Sequence, residues 1–492
     1  MPPHPLDLPE IILRVGEFIP LWIRDYTSAR SGRRFTPKDL VAAIRVNRTF
    51  HSTLTPLLWA IYNESEHLAP SYSIDYHFPL QNQDSLRKYP SIQTILKNSI
   101  HFRSYENTIC TIESLEYRCT QLRVLKLSRW AASALAANLI ITNSHTLRYL
   151  SWESHAFNSM GDWGVMSSQG YAALNSLTKL EILELRLWTV EHHRLTPILA
   201  RLSPYLKTLV LADMRGLNSE QDWTLLPTLT HLTLNSEWWA NTAIQDLVRF
   251  CPALETLILD PNAECDARAI GRHLRECCPN LSAIECTGPK IFQSSMLLDD
   301  DEYAALIHGC APVNTANGRG GLKRFDMVLD LLDDDTTNAL LAHAGSLESL
   351  ELYIVDDMPI TFKNLNLILS RCTKLKLVFI TNYLLEWPSE IGMEMFREPW
   401  GCKELESLSL EEFGSAPYMS AEETSDVIEE EAGDEGDNVP EGWIEHKSSV
   451  RGKKHLRSPP GQALKRKLLK AANELPNLTR LSLNCTTYRR TT

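Results

Sequence analysis

An α/β solenoid is the fold class this sequence predicts, with a parallel sheet on a concave side, helices on the convex side and a small all-α module in front. Three observations predict it. The pattern L-x-x-L-x-L, with conservative substitutions, returns twelve times in 492 residues. Proline or cysteine recurs just ahead of the pattern, and residues 1–60 carry a helical rather than a repeating periodicity.

The first leucines fall at Leu122, Leu147, Leu180, Leu206, Leu229, Leu254, Leu281, Leu322, Leu347, Leu375, Leu405 and Leu478. Most steps between them are 23 to 33 residues, the period of a leucine-rich repeat. Positions 0, +3 and +5 are large and apolar in nearly every copy, as in Leu254, Leu257 and Leu259. The +3 and +5 residues are two apart and share one face of a short strand, so +2, +4 and +6 point the other way, towards solvent. A lone repeat of this size buries too few side chains to offset its ordering entropy, so stacking is required.

The residues three before the first leucine are small or apolar in eleven of twelve copies, and five of them are cysteines: Cys119, Cys251, Cys278, Cys372 and Cys402. One place further on stand Pro204, Pro227, Pro252, Pro279 and Pro476. Proline cannot supply the amide proton of a continuing helix, so each repeat reads as helix, corner, strand and ascending loop.

Composition agrees. Apolar residues make up 43% of the chain, enough for a continuous core, and no apolar run approaches the roughly 20 residues of a membrane span. The first residues, MPPHPLDLPE, lack the basic and apolar regions of a secretory signal. Eleven cysteines is an odd number, and the corner cysteines read as small buried side chains in a reducing compartment. The expected location is cytoplasmic, nuclear or both.

Ahead of the repeats, Ile11, Ile12, Val15, Phe18 and Ile19 fall at helical spacing after Pro9. Thr36-Pro37 is a capping start for a second helix with Leu40, Val41 and Ile44 on its apolar face. A third short helix holds Val46, Phe50 and Leu54, and Pro56 should end or kink it. PLLWAIY (56–62) then carries four large apolar side chains. Three short helices make a small core, so part of this surface needs a partner or the first repeat to cover it.

LDLPEII (6–12) followed by DLVAAIRVNRTFHSTLTPLLW (39–59) resembles the F-box, whose common form starts leucine-proline-x-glutamate and ends leucine-tryptophan. Phe50 stands where the family usually has tryptophan, and Arg24 to Phe35, read as a polar loop, lengthens the connection between the first two helices. F-box proteins with leucine-rich repeats are non-catalytic substrate receptors of Skp–cullin–F-box ubiquitin ligases. The resemblance implies that Leu8, Pro9, Ile11, Leu57, Leu58 and Trp59 contact the Skp adaptor, while the solenoid holds a target protein. The alternative is a leucine-rich-repeat scaffold not coupled to ubiquitination. A remoter one is a regulator of a small GTPase.

Features with catalytic chemistry are few. Asn317-Gly318-Arg319-Gly320-Gly321 has no following lysine-serine or lysine-threonine at P-loop spacing, and reads as a turn between repeats. His192-His193 lacks a partner acid, and Cys277-Cys278 is adjacent rather than C-x-x-C. Asp299–Asp301 and Asp333–Asp335 read as acidic loops opening helices. No enzyme activity, cofactor or metal is expected, nor a membrane partner; nor is nucleic acid, because the chain carries a net charge of −12 and its basic stretch lacks interleaved aromatics.

The concave face is the expected binding surface. Its +4 and +6 positions supply Lys126, Glu184, Arg186, Asp260, Glu285, Asp326, Glu351 and Tyr353, and acids outnumber bases, which favours a basic target. Trp130, Trp188 and Trp238 lie beyond their strands, at the rim where aromatic anchors would sit. Late in the chain, residues 421–446 hold eleven acids and no Lys or Arg, whereas 447–470 hold nine Lys and Arg and no acid. The acidic half reads as disordered. Lys453-Lys454 and Lys465-Arg466-Lys467 have the spacing of a bipartite import signal, or form a solvated basic helix.

The expected organisation is therefore an F-box at 1–62, a helical linker and degenerate capping repeat at 63–118, and repeats at 119–414. A disordered insertion at 415–460 and a last repeat at 461–492 complete it.

Overall fold

A computed structural model describes residues 8–18, 22–24, 33–35, 42–43, 45–59, 61–63, 101–104, 120–127, 134–154, 164–217, 223–235, 246–259, 266–286, 300–310, 321–354, 359–382, 395–412, 443–447, 459–483 and 486–490. The chain divides into two compact units, Met1–Leu206 and Lys207–Thr492, both α/β with mostly parallel strands.

In the first unit, helices α1 (Pro9–Phe18) and α2 (Arg48–Trp59) pack on each other around Ile12 and Leu54, which have no exposed surface. Asn47 caps α2, its Oδ1 accepting from the Phe50 amide at 2.9 Å. Helix α2 runs through Pro56 to Trp59, contrary to a stop at the proline. The ring removes one intrahelical bond, to the Ser52 carbonyl, and the bonds on either side carry the helix past it.

The stretch read as a polar loop has paired ends: β1 (Trp22–Arg24) and β2 (Arg33–Phe35) are antiparallel, with Ile23 opposite Arg34. A parallel sheet then begins earlier than the boundary at 62, with β3 (Ile61–Asn63) beside β4 (His101–Ser104). It continues through β5 (Val124–Leu127), β6 (Tyr149–Glu153) and β8 (Ile182–Arg186). A two-stranded parallel pair, β7 (Gly164–Val165) with β9 (Trp188–Thr189), lies apart from that sheet. Helices α3 (Ala134–Thr142), α4 (Ser168–Ser176) and α5 (His192–Leu202) separate the later strands.

The second unit adds β10 (Thr208–Ala212), β11 (His231–Asn235), β12 (Thr256–Leu259), β13 (Ala283–Cys286), β14 (Arg324–Leu329), β15 (Ser349–Ile354), β16 (Leu377–Asn382) and β17 (Ser407–Glu412). All pair in parallel with the next. Strand β19 (Arg480–Leu483) follows β17, and β20 (Thr486–Arg490) turns back antiparallel on it. Outermost is β18 (Trp443–Lys447), antiparallel to β20. The end of the region expected to be disordered is thus a strand here, because Trp443 is buried and donates to Asn473 Oδ1 at 2.8 Å. Between strands run α6 (Ala267–Cys277), α7 (Asp300–Gly309), α8 (Asp334–Leu341), α9 (Pro359–Arg371) and α10 (Pro459–Asn473).

Each of the twelve sequence repeats supplies one strand, which begins two residues after its first leucine. All twelve first leucines are fully buried. In register the +3 residues line up as Leu209, Leu232, Leu257, Ile284, Phe325, Leu350, Val378, Leu408 and Leu481. The backbone repeats too. Within each unit the carbonyl before a strand accepts two amides from the next repeat, as Lys207 does from Thr230 and His231, and Glu348 from Lys376 and Leu377.

The corners are closed by backbone bonds, with Leu254, Leu281, Leu375 and Leu405 amides donating to Cys251, Cys278, Cys372 and Cys402 carbonyls. Those cysteines are free and fully buried. Burial raises each thiol, to about 12 for Cys278 and Cys372 and about 11 for Cys402, so they pack as small apolar groups. Two corners use a polar side chain instead. Asn143 Oδ1 accepts the Leu122 amide at 2.8 Å while its Nδ2 donates to the Leu139 carbonyl. His343 Nδ1 accepts the Leu322 amide at 3.1 Å, and Nε2 lies 3.3 Å from the Ile307 carbonyl. Three residues on, Thr146 and Ser346 donate to the Leu122 and Leu322 carbonyls.

Where α6 meets α7, Gly271 of α6 lies against the Ala305 backbone and against Gly309 of α7. Gly271→Ala should therefore lower stability by about 1–3 kcal/mol, read by urea denaturation, because the added methyl meets backbone that cannot turn aside.

Burial holds the His343 ring below its ordinary 6.5, and neutrality suits it, since protonated Nδ1 could not accept the Leu322 amide. His192 and His273 are lowered for the same first reason. The unfolded chain takes up protons near 6.5 and the folded one only below that. Stability is thus fully present above about pH 6.5 and is lost as pH falls through the lowered values. Urea midpoints should drop on going from about pH 7.5 to about pH 5.5, and His343→Leu should be less stable at both while showing a smaller drop.

Candidate protein-interaction face

The outward row of each sheet brings predicted residues together in two clusters, one per unit. In the first unit Lys126, Ser151 and Glu184 sit side by side on β5, β6 and β8. Tyr149 donates to Glu184 Oε1 at 2.8 Å and Ser151 to Oε2 at 2.9 Å, while Arg186 Nε lies 3.9 Å from the same carboxylate. Lys126 Nζ stands 4.7 Å above the Tyr149 ring. Burial, with the Glu184 charge second, raises the Tyr149 phenol far above its usual range, so it stays a neutral donor.

The second cluster lies at the same repeat position on β13, β14 and β15, where Glu285, Asp326 and Glu351 are neighbours in register. Arg324, two residues before Asp326 on the same face, bridges them. Its Nε is 3.3 Å from Glu285 Oε1 and its Nη2 3.2 Å from Glu351 Oε1. One strand further, Tyr353 and Phe379 form a tilted aromatic pair with centroids 5.6 Å apart. Leu377, also on the outward face of β16, is exposed.

Not every predicted position is where expected. Trp188 is fully buried. Its Nε1 donates to the Trp152 carbonyl at 2.9 Å and its ring meets Trp152 edge-on at 5.0 Å, so it packs the interior of the ascending loop rather than offering a rim anchor. The outward row is also less exposed than a solvent-facing row should be. Val210, Thr233, Asp326, Ser409 and Ser482 are buried, as is Tyr353 in the next row. Short side chains on strands about 4.8 Å apart are shaded by their neighbours. At the end of the sheet Ser482 also lies 3.4 Å from Thr487 of β20. Trp130, Trp238 and Asp260 lie outside the described residues, as do Cys119 and Lys453-Lys454.

Arg324 and Tyr149 lie outside the +4 and +6 positions that define the predicted face. Both stand at +2, which the two-residue period of a strand places on the same face, so the signal was present. At the N-terminus Pro9 and Ile11 are exposed and Leu8 half-exposed, whereas Leu57, Leu58 and Trp59 lie on α2 with side chains outside the described residues. Asp333 caps α8 through the Thr336 amide at 2.8 Å, and Asp300 and Asp301 open α7, as acidic helix starts should. Among the described residues no three His, Cys, Asp or Glu gather as a metal would need, and no helix is long and apolar enough to cross a membrane.

No protein-family model and no curated protein matches this chain. Among solved structures, one of TLR13 in complex with ssRNA13 is similar at 15% identity and a TM-score of 0.30. The match covers 61% of this chain and 47% of that one, so this chain spans about half the length of that structure.

Replacing Glu184 by alanine should cost about 1–2 kcal/mol of stability, read by chemical denaturation, because it strands the covered Tyr149 hydroxyl without its acceptor. Removing the more accessible Ser151 hydroxyl should cost less.

Proposed function

We propose that this chain is a leucine-rich-repeat protein that binds another protein on the open face of its sheet, catalyses nothing, and acts as the substrate-recognition subunit of a Skp–cullin–F-box ubiquitin ligase in the cytoplasm or nucleus. The observation that carries this reading is the order of Leu8-Pro9-Glu10-Ile11-Ile12 and Pro56-Leu57-Leu58-Trp59 ahead of the repeat array. Two further observations support it. Ile12 and Leu54 fill the small core between α1 and α2, yet Ile11 and Val15, four apart on α1, are 38% and 45% exposed. An apolar stripe of this kind on a two-helix packing suits a docking partner.

One observation favours the scaffold alternative. Strand β3 begins two residues after α2 ends and pairs directly with β4, so the helical module also serves as the lid of the sheet. The two readings separate in a pull-down of the full chain with the Skp adaptor. Capture should fall at least about tenfold when Leu8, Pro9 and Trp59 are together replaced by alanine. Undiminished capture by that variant, or no capture by the parent chain, would leave the scaffold reading standing.

A further inference from the structure

We infer that the last strands of the second unit hold an acidic, apolar-flanked segment of the bound protein on one row of the open face, made by Leu377, Ser407, Arg480, Arg489 and Ile444. This rests on reading that face as a protein-binding surface, and not on the ligase role. Register fixes the row. Leu377 pairs with Ser407, Ser407 with Arg480, Arg480 with Arg489 and Arg489 with Ile444, across β16, β17, β19, β20 and β18. Paired residues share a face, and Leu377, Ser407 and Arg480 stand at +2 of their repeats, on the outward one. None of the five is covered. Leu377, both arginines and Ile444 are exposed, Ile444 by 58%, and Ser407 is half-buried.

Charge decides what binds here. The Arg490 amide donates to the Thr479 carbonyl at 3.1 Å, so Arg480 and Arg489 form the next, non-hydrogen-bonded pair of the ladder. The Cα atoms of such a pair stand about 4.5 Å apart, which brings the two side chains together on one face. Like charges directly opposite each other repel. Neither arginine has an ion pair or a side-chain hydrogen bond among the described residues. Arg490, next in sequence, makes the contrast. Its guanidinium turns inward, donates to the Leu475, Pro476 and Asn473 carbonyls, and lies 5.9 Å from the Trp443 ring centre. Glu285 and Glu351, elsewhere on the open face, are likewise answered by Arg324. Arg480 and Arg489 are not answered, and a carboxylate held between their planar forks would remove the repulsion.

The ends of the row say what carries that carboxylate. Leu377 closes one end and Ile444 the other, both open to apolar contact. Four strand spacings of about 4.8 Å separate them, roughly 19 Å, which about six extended residues cover. A protein segment can supply acids in its middle and aliphatic side chains at its ends. Nucleic acid would bring phosphates alone, since the row has no ring on which a base could stack.

The test titrates the full chain against two fluorescein-labelled peptides, octa-glutamate and a run of glutamates flanked by leucines, followed by fluorescence anisotropy. Arg480→Gln combined with Arg489→Gln should weaken both about tenfold, and the paired lysine replacements about threefold, because an ammonium lacks the fork. Ile444→Ser should weaken the leucine-flanked peptide about threefold and leave octa-glutamate unchanged. The urea midpoint of the double glutamine variant should not fall, since that variant removes a like-charge pair. Parent-like affinity in the double variant overturns the inference, as does weaker binding accompanied by a lower midpoint. Tighter binding of labelled octathymidylate than of either peptide through the same arginines would also overturn it. The chain's own acids at 421–442 are the other candidate occupant. A glutamate-specific protease should cleave there at the same rate in the parent and the double variant; slower cleavage in the parent would give the arginine pair to that run and sink the inference. A failure of Skp capture in the parent chain with peptide binding preserved would strike the ligase reading and leave this site standing.

Discussion

Within each unit the repeats bury their leucines against neighbouring repeats, and nothing in a single repeat could do so alone. The twelve first leucines are fully buried, the +3 residues meet in register, and pre-strand carbonyls such as Lys323 and Glu348 are each shared by two amides of the next repeat. Apolar burial and backbone satisfaction are thus achieved by the same stacking step. That coupling explains why small departures in spacing are tolerated, since a longer ascending loop need not disturb the ladder. It also explains the corner residues. A cysteine or leucine fills a corner where backbone bonds close on themselves, whereas Asn143 and His343 reach back for an amide of the preceding repeat.

Stacking was the part most readable from sequence. The strand positions and the buried corners follow from leucine spacing, because these features depend on short-range periodicity. The parts that escaped depend on contacts between distant residues. Nothing local in Trp22-Ile23-Arg24 announces its pairing with Arg33–Phe35, and Trp443 earns its strand only through Asn473 and the edge of β20. Pro56 does not end its helix, because the loss of one amide is offset by the helical bonds on either side.

The candidate face shows the same division. Alternation places Glu184, Glu285, Asp326 and Glu351 on the outward side, and they are there. Alternation also puts Arg324 and Tyr149 on that side, but which carboxylates they meet depends on the register of the neighbouring strands. Trp188 erred the other way, since an indole in an ascending loop can equally turn inward and satisfy its N–H on a carbonyl. The basic triplet Lys465-Arg466-Lys467 belongs to α10, whose Leu468 and Leu469 are core residues, so reading it in extended form would require unfolding that helix.

Strand β20 turns back along β19, and β18 lies outside it, so polarity reverses at this border of the second unit. A parallel coil added there would meet amides and carbonyls in the wrong phase. Uncontrolled accretion of like modules, the standing hazard of any array made from interchangeable parts, is thereby discouraged at that rim by direction alone.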